Sequence, residues 1–177
     1  LKKELIDTYK EFGRDDTITF DDKEWLLGFN NVVFDMQENK IREYRYDDYI
    51  TITTGYDWRE PTEDELSTVD LLFNSIMPIK EERDFFKQIL CTGLDGRCLE
   101  KFIIFNASGR NGKSLINDLM LNALGGYAYM ATNSILFEKS KTGANPEKAN
   151  LHQKRYVIFR EPPEKNKFEI LQFVIIL

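Results

Sequence analysis

Gly109-Arg110-Asn111-Gly112-Lys113-Ser114 is the stretch of this chain best equipped for chemistry. Glycine, lysine and a hydroxyl stand in direct succession, the closing portion of a loop whose backbone N–H groups and helix N-terminus suit an anionic triphosphate. Gly109 and Gly112 let the backbone take positive φ and approach a phosphate closely, while Arg110 and Asn111 occupy the exposed bend between them. Lys113 reaches the β- and γ-phosphates as a point charge, and Ser114, opening the helix, offers its hydroxyl to Mg2+. With the flanking Ser108 and Leu115, the candidate nucleotide-binding set is Ser108, Gly109, Arg110, Asn111, Gly112, Lys113, Ser114 and Leu115. The expected cofactors are ATP and Mg2+. The full pattern G-x-x-x-x-G-K-S starts on glycine, where this chain has Ala107, a residue that fits only with negative φ. The plainer alternative is a strand-to-helix turn carrying a surface lysine.

Cradling phosphate is half of a hydrolytic site. The other half is a carboxylate at the end of a neighbouring strand, to orient the attacking water or hold the metal. Glu161 is placed for this, directly after the apolar run Tyr156-Val157-Ile158-Phe159 and Arg160, and before the stop at Pro162-Pro163. At the carboxyl edge of a parallel sheet beside the loop, it would act with Lys113 in catalysis and with Ser114 at the metal, through water. The plainer alternative is an exposed glutamate closing a strand; Arg160 would point to the other face.

The elements that must position these groups are legible in outline. Phe102, Ile103, Ile104 and Phe105 form a short apolar strand before the loop, and Leu115, Leu119 and Leu124 continue beyond it with helical spacing. The expected class is α/β, a P-loop core over 97–177 that is incomplete at its C-terminus, preceded by a small α+β module over 1–60 and a helical pair over 61–96. In the module, Leu1, Leu5, Tyr9 and Phe12 share a helical face, and Asp21 or Asp22 caps a short turn through Trp25, Leu26 and Leu27. Segments 29–35 and 41–46 then make a hairpin around Glu38-Asn39-Lys40, and Ile50 to Thr54 adds an extended stretch. In the pair, Thr62 and Glu65 form a capping box before Leu66, Val69, Phe73 and Ile76, and a second helix from about Glu81 to Thr92 turns Phe85, Phe86, Ile89 and Leu90 inward. Gly93 ends it. Farther on, Tyr127 to Met130 reads as a strand and Glu147 to His152 as a short helix.

Composition sets limits. A chain of 177 residues that is 42% hydrophobic and 31% charged can bury a core in one or two domains. No apolar run approaches the length of a membrane span and no secretory leader pattern is present, so the expected location is intracellular. Cys91 and Cys98 fit neither a zinc cluster nor a disulfide framework and are expected reduced and packed near the loop strand; the single His152 argues against any metal other than Mg2+. Residues 1–70 hold nine basic and nineteen acidic side chains, a balance of −10, whereas 139–167 hold eight basic and three acidic, a balance of +5. A solvated surface explains most charge runs. If nucleic acid binds, the basic C-terminal third is the expected contact. The start at Leu1 and the apolar end Val174-Ile175-Ile176-Leu177 read as a segment of something longer.

Taken in order, Phe29 to Asp35, Tyr49-Ile50-Thr51 with Thr54-Gly55-Tyr56, Leu90-Cys91-Thr92-Gly93, Gly109 to Ser114, and Lys154 to Pro162 resemble the viral and phage primase–helicase family, specifically its superfamily 3 helicase part. The likeness runs from about Phe29 to Pro163. It implies an AAA+-like ATPase forming a homo-hexameric ring on single-stranded or forked DNA, working with replication proteins in the host cytoplasm or nucleus. Lys113 and Ser114 match the family's Walker A lysine and hydroxyl, and Glu161 its Walker B acid. Ala107 and Arg160 depart from the pattern, and the sensor asparagine and arginine finger expected after Pro163 are not found, which implies weak or no activity for this segment alone. Two other readings stay open: a P-loop kinase or phosphotransferase acting on a small molecule, and a non-catalytic nucleotide-binding remnant.

Overall fold

The computed structural model describes residues 2–12, 17–97, 101–106, 112–132, 135, 146–159 and 171–176. Among the described residues the elements follow in order: α1 (Lys2–Phe12), β1 (Leu26–Gly28), β2 (Val33–Asp35), β3 (Lys40–Arg42), α2 (Glu63–Ile76), α3 (Lys80–Thr92), β4 (Lys101–Asn106), α4 (Lys113–Leu124), a 3-10 turn (Gly125–Tyr127), β5 (Ala128–Ala131), α5 (Pro146–Ala149), β6 (Tyr156–Phe159) and β7 (Leu171–Ile176). The architecture is mixed α/β.

The N-terminal sheet is an antiparallel meander, β1-β2-β3, with Phe34 facing Leu27 on one side and Ile41 on the other. The expected hairpin is there, but Leu26 and Leu27 belong to a strand and not to a helical turn. Asp21 caps no helix: its Oδ1 accepts the amides of Thr51 (2.7 Å) and Ile52 (3.0 Å) and so fastens the extended stretch after β3. A three-residue apolar run reads equally well in either conformation, and the ladder to β2 decides it.

Beneath the meander lies a buried ion triad. Arg42 donates from Nε to Asp35 (3.0 Å) and from both terminal nitrogens to Asp48 (2.8 and 2.9 Å), while Asp35 also accepts the amides of Gln37 and Glu38. The forked Arg42 bond, ahead of the other charges, holds the Asp48 carboxyl below its ordinary value despite burial. A carboxyl depressed on folding stabilises above its unfolded value and loses that contribution as pH falls through the folded one. Asp48→Asn is therefore expected to cost about 3 kcal/mol at pH 7, with the gap to wild type closing below about pH 4. Urea melts at both pH values check this.

In the helical pair, Thr62 and Glu65 form the reciprocal capping box at the start of α2. Arg59, ahead of the Thr62 amide, draws the Glu65 carboxyl down to about 2, so the box stays charged through most of the acid range. The apolar stripes sink less than their spacing suggests. Phe73, Phe86 and Leu90 are buried, but Leu66, Val69 and Phe85 lie 53%, 41% and 64% exposed, because α2 and α3 meet the core only through their inner halves. Cys91 is a free thiol and exposed rather than packed; Cys98 lies outside the described residues.

The second sheet has the order β4-β7-β6-β5. The parallel sheet expected beside the loop is mixed: β5 and β6 are parallel, but β7 runs antiparallel to both β4 and β6. Since each is antiparallel to β7, β4 and β6 run in the same direction and share a carboxyl edge. The apolar stretch at 171–176 is thus a central strand. α5 spans only Pro146–Ala149, because the chain turns from Asn150 through Gln153 before reaching β6.

Among the described residues, the larger of two buried clusters joins the meander, the helical pair and the second sheet; Ala131, Val157 and Phe159 form the smaller one. Leu27 and Phe29 from the meander, Phe73, Phe86 and Leu90 from the helical pair, and Ile116, Leu124, Tyr127, Tyr156 and Ile158 from the second sheet and its helix form one buried cluster. Its polar fasteners are Tyr127 and Arg155. The Tyr127 hydroxyl donates to Ile52 O (2.6 Å) and accepts the Gly28 amide (3.0 Å). Arg155 stacks on the Tyr127 ring at 4.4 Å and donates to Leu94 O (2.5 Å) and Leu26 O (2.6 Å). Burial pushes this guanidinium below its usual value, and carbonyls with an aromatic face stand in for a carboxylate.

Candidate nucleotide site

The strand and the helix that the loop chemistry requires occur in that order. β4 leads to residues 107–111, which lie outside the described residues together with Arg160, Glu161, Pro162 and Pro163; these include Ala107, Ser108, Gly109, Arg110 and Asn111 of the candidate set. The description resumes at Gly112, which adopts φ 80 and ψ 0, a left-handed conformation, as the N-cap of α4. Its carbonyl accepts the Ile116 amide at 3.1 Å, the first bond of the helix. Lys113 is the first helical residue, and Ser114 and Leu115 follow on an exposed turn.

One turn later α4 plunges inward. Ile116 and Asn117 are 1% and 4% exposed, and the Tyr156 hydroxyl meets Asn117 Oδ1 at 3.3 Å, tying the helix to β6. Removing the phenol from water raises the Tyr156 pKa to beyond the range of any working condition, so it stays a neutral hydrogen-bonding group. Asn117 and Tyr156 tie α4 to β6 and were missed in the sequence reading, because Asn117 is one of several polar residues in α4 and nothing in its spacing marks it as buried.

Glu161 would follow β6 by two positions. With β7 between, β6 lies about 10 Å from β4 at ordinary strand spacing. Among the described residues no cluster of histidine, cysteine and carboxylates could hold a metal by itself.

The opposite edge of the sheet has a cavity of about 460 Å3, bordered by Asp21, Lys23, Tyr127, Lys154 and Arg155. Of the basic residues counted in the sequence toward a nucleic-acid surface, Lys154 is half-buried and donates to Gly126 O at 2.5 Å, and Arg155 is buried and donates to Leu94 O. Lys139, Lys141, Arg160, Lys165 and Lys167 of that basic tract are outside the described residues.

Known proteins give this geometry a context. The family described as D5 N terminal like matches residues 1–92, the meander and helical pair. The chain is 33% identical over 147 residues to a candidate helicase of Acanthamoeba polyphaga mimivirus, covering 80% of this chain and 15% of that protein. It is 29% identical over 174 residues to a fowlpox virus protein named primase D5 (93% of this chain, 21% of that one), and 29% identical over 161 residues to a vaccinia virus protein named as an uncoating factor (84% and 20%). The chain therefore spans between about a seventh and a fifth of the length of these relatives. No described helix is long and apolar enough to cross a membrane.

Proposed function

The chain belongs to the viral primase–helicase family, in its D5 N-terminal-like group, and from that premise we propose that it is a segment of an ATP-dependent DNA helicase. The observation that carries the proposal is the left-handed Gly112 immediately before Lys113 and Ser114, at the start of a helix tied to the strand that leads to Glu161. This end of α4 suits a magnesium-bound triphosphate: Gly112 presents backbone without a side chain, and the positive end of the helix dipole favours an anion. The nucleotide supplies the phosphoanhydride bond whose cleavage drives the motor. Residues 108–112 would wrap the phosphates, Lys113 would neutralise the β- and γ-oxygens, Ser114 would hold Mg2+, and Glu161 would orient the attacking water. A P-loop NTPase core of the AAA+ type, six copies in a ring around single-stranded or forked DNA, and an arginine from the neighbouring copy complete the proposal. Replication proteins are its partners, in the host cytoplasm or nucleus.

The test is DNA-stimulated ATP hydrolysis by the full-length protein and its Glu161→Gln variant. The variant should bind ATP and hydrolyse it at least about 10²-fold more slowly, the scale of a lost general base. Normal turnover would remove Glu161 from the chemistry. Transfer of phosphate to a small acceptor would select a kinase instead, and tight ATP binding by wild type without turnover would select a non-catalytic module.

A further inference from the structure

We infer that Ile76, the last residue of α2, is a positioning residue for the phosphate loop, setting nucleotide affinity from outside the loop; the inference rests on the nucleotide reading above. A carbon added to Gly112 in place of its hydrogen would lie 2.7 Å from Ile76 Cδ1 and 2.8 Å from Cγ1. The isoleucine thus packs directly on the glycine Cα, in the space a side chain would need. It braces the left-handed residue that aims the start of α4.

Ile76 is itself firmly held. The Met77 amide closes α2 onto Phe73 O at 2.9 Å, and Phe73 is buried with its ring against that of Phe86. The elbow that follows is fixed to α3 by Arg83, which donates to Met77 O (2.9 Å) and Pro78 O (3.2 Å). The helical pair therefore touches the last glycine of the loop through one branched side chain seated on a rigid corner. Loss of that brace lets Gly112 relax toward other conformations, and a phosphate must then bear the cost of restoring the aim. Because coupling is reciprocal, a bound triphosphate must in turn steady the elbow.

The experiment uses the full-length protein, with affinity for a non-hydrolysable ATP analogue and Mg2+ measured well below the melting temperature, and backbone hydrogen exchange followed over residues 76–79. Ile76→Ala should weaken the analogue about tenfold and abolish its protection of the elbow; Leu66→Ala, on the exposed part of the same helix, should leave both unchanged. Ile76→Val removes only Cδ1, cannot plausibly unfold the protein, and should weaken binding by about two- to threefold. Wild-type affinity and protection in both Ile76 variants, with binding lost in Lys113→Ala, would overturn the inference and leave the nucleotide site standing. Wild-type affinity in Lys113→Ala as well would overturn the site and the inference together.

Discussion

Lys113→Ala in the full-length protein should abolish DNA-stimulated ATP turnover, with kcat/KM reduced by about 10²- to 10³-fold or more, the loss seen when one preorganised charge partner of a transition state is removed. Lys113 is the first residue of α4, directly after the left-handed Gly112, the position at which the phosphate-binding pattern places its lysine. Lys113→Arg should not rescue it, because the planar guanidinium cannot replace a compact ammonium in a tight turn. Steady-state ATPase assays with and without single-stranded DNA measure both. Retained DNA-stimulated turnover in the alanine variant would count decisively against the motor reading.

Gly125→Ala should destabilise the fold by about 2–5 kcal/mol, combining a strained backbone with overpacking. Gly125 adopts φ 50 and ψ −115, and a methyl there would overlap the carbonyl of Thr54, while the adjacent Gly126 amide donates to Thr53 O at 3.0 Å. The two glycines bring the end of α4 against the 53–54 segment so closely that no side chain fits. Gly55 provides the control: it also has positive φ, at 86, but has open space where a methyl would go. Gly55→Ala should cost only about 1–2 kcal/mol. Denaturant midpoints of the two variants measure the difference, and equal midpoints would refute the packing argument.

Local chemistry explains which features were readable in the sequence. The capping box at Thr62 and Glu65, the β2–β3 hairpin and the order of β4 and α4 depend on residues within a few positions of each other, so their spacing is sufficient. Long-range packing is not readable that way. Leu66, Val69 and Phe85 carry a core-like period yet stay largely exposed, because which stretch of an amphipathic helix sinks is decided by partners far along the chain. Arg155 shows the same limit from the other side: as a residue type it suggests a surface charge, and only Leu26, Leu94 and Tyr127, drawn from three separate segments, make its burial tolerable. Of the site, Gly112 could be foreseen as a left-handed residue from its type and place; the Asn117–Tyr156 bond, 39 residues apart in sequence, could not.

The Tyr127 and Arg155 fasteners have a mechanical meaning. Ring, guanidinium and carbonyls are bonded to one another between the second sheet and the meander, so a displacement of one sheet strains these bonds before the other can move independently.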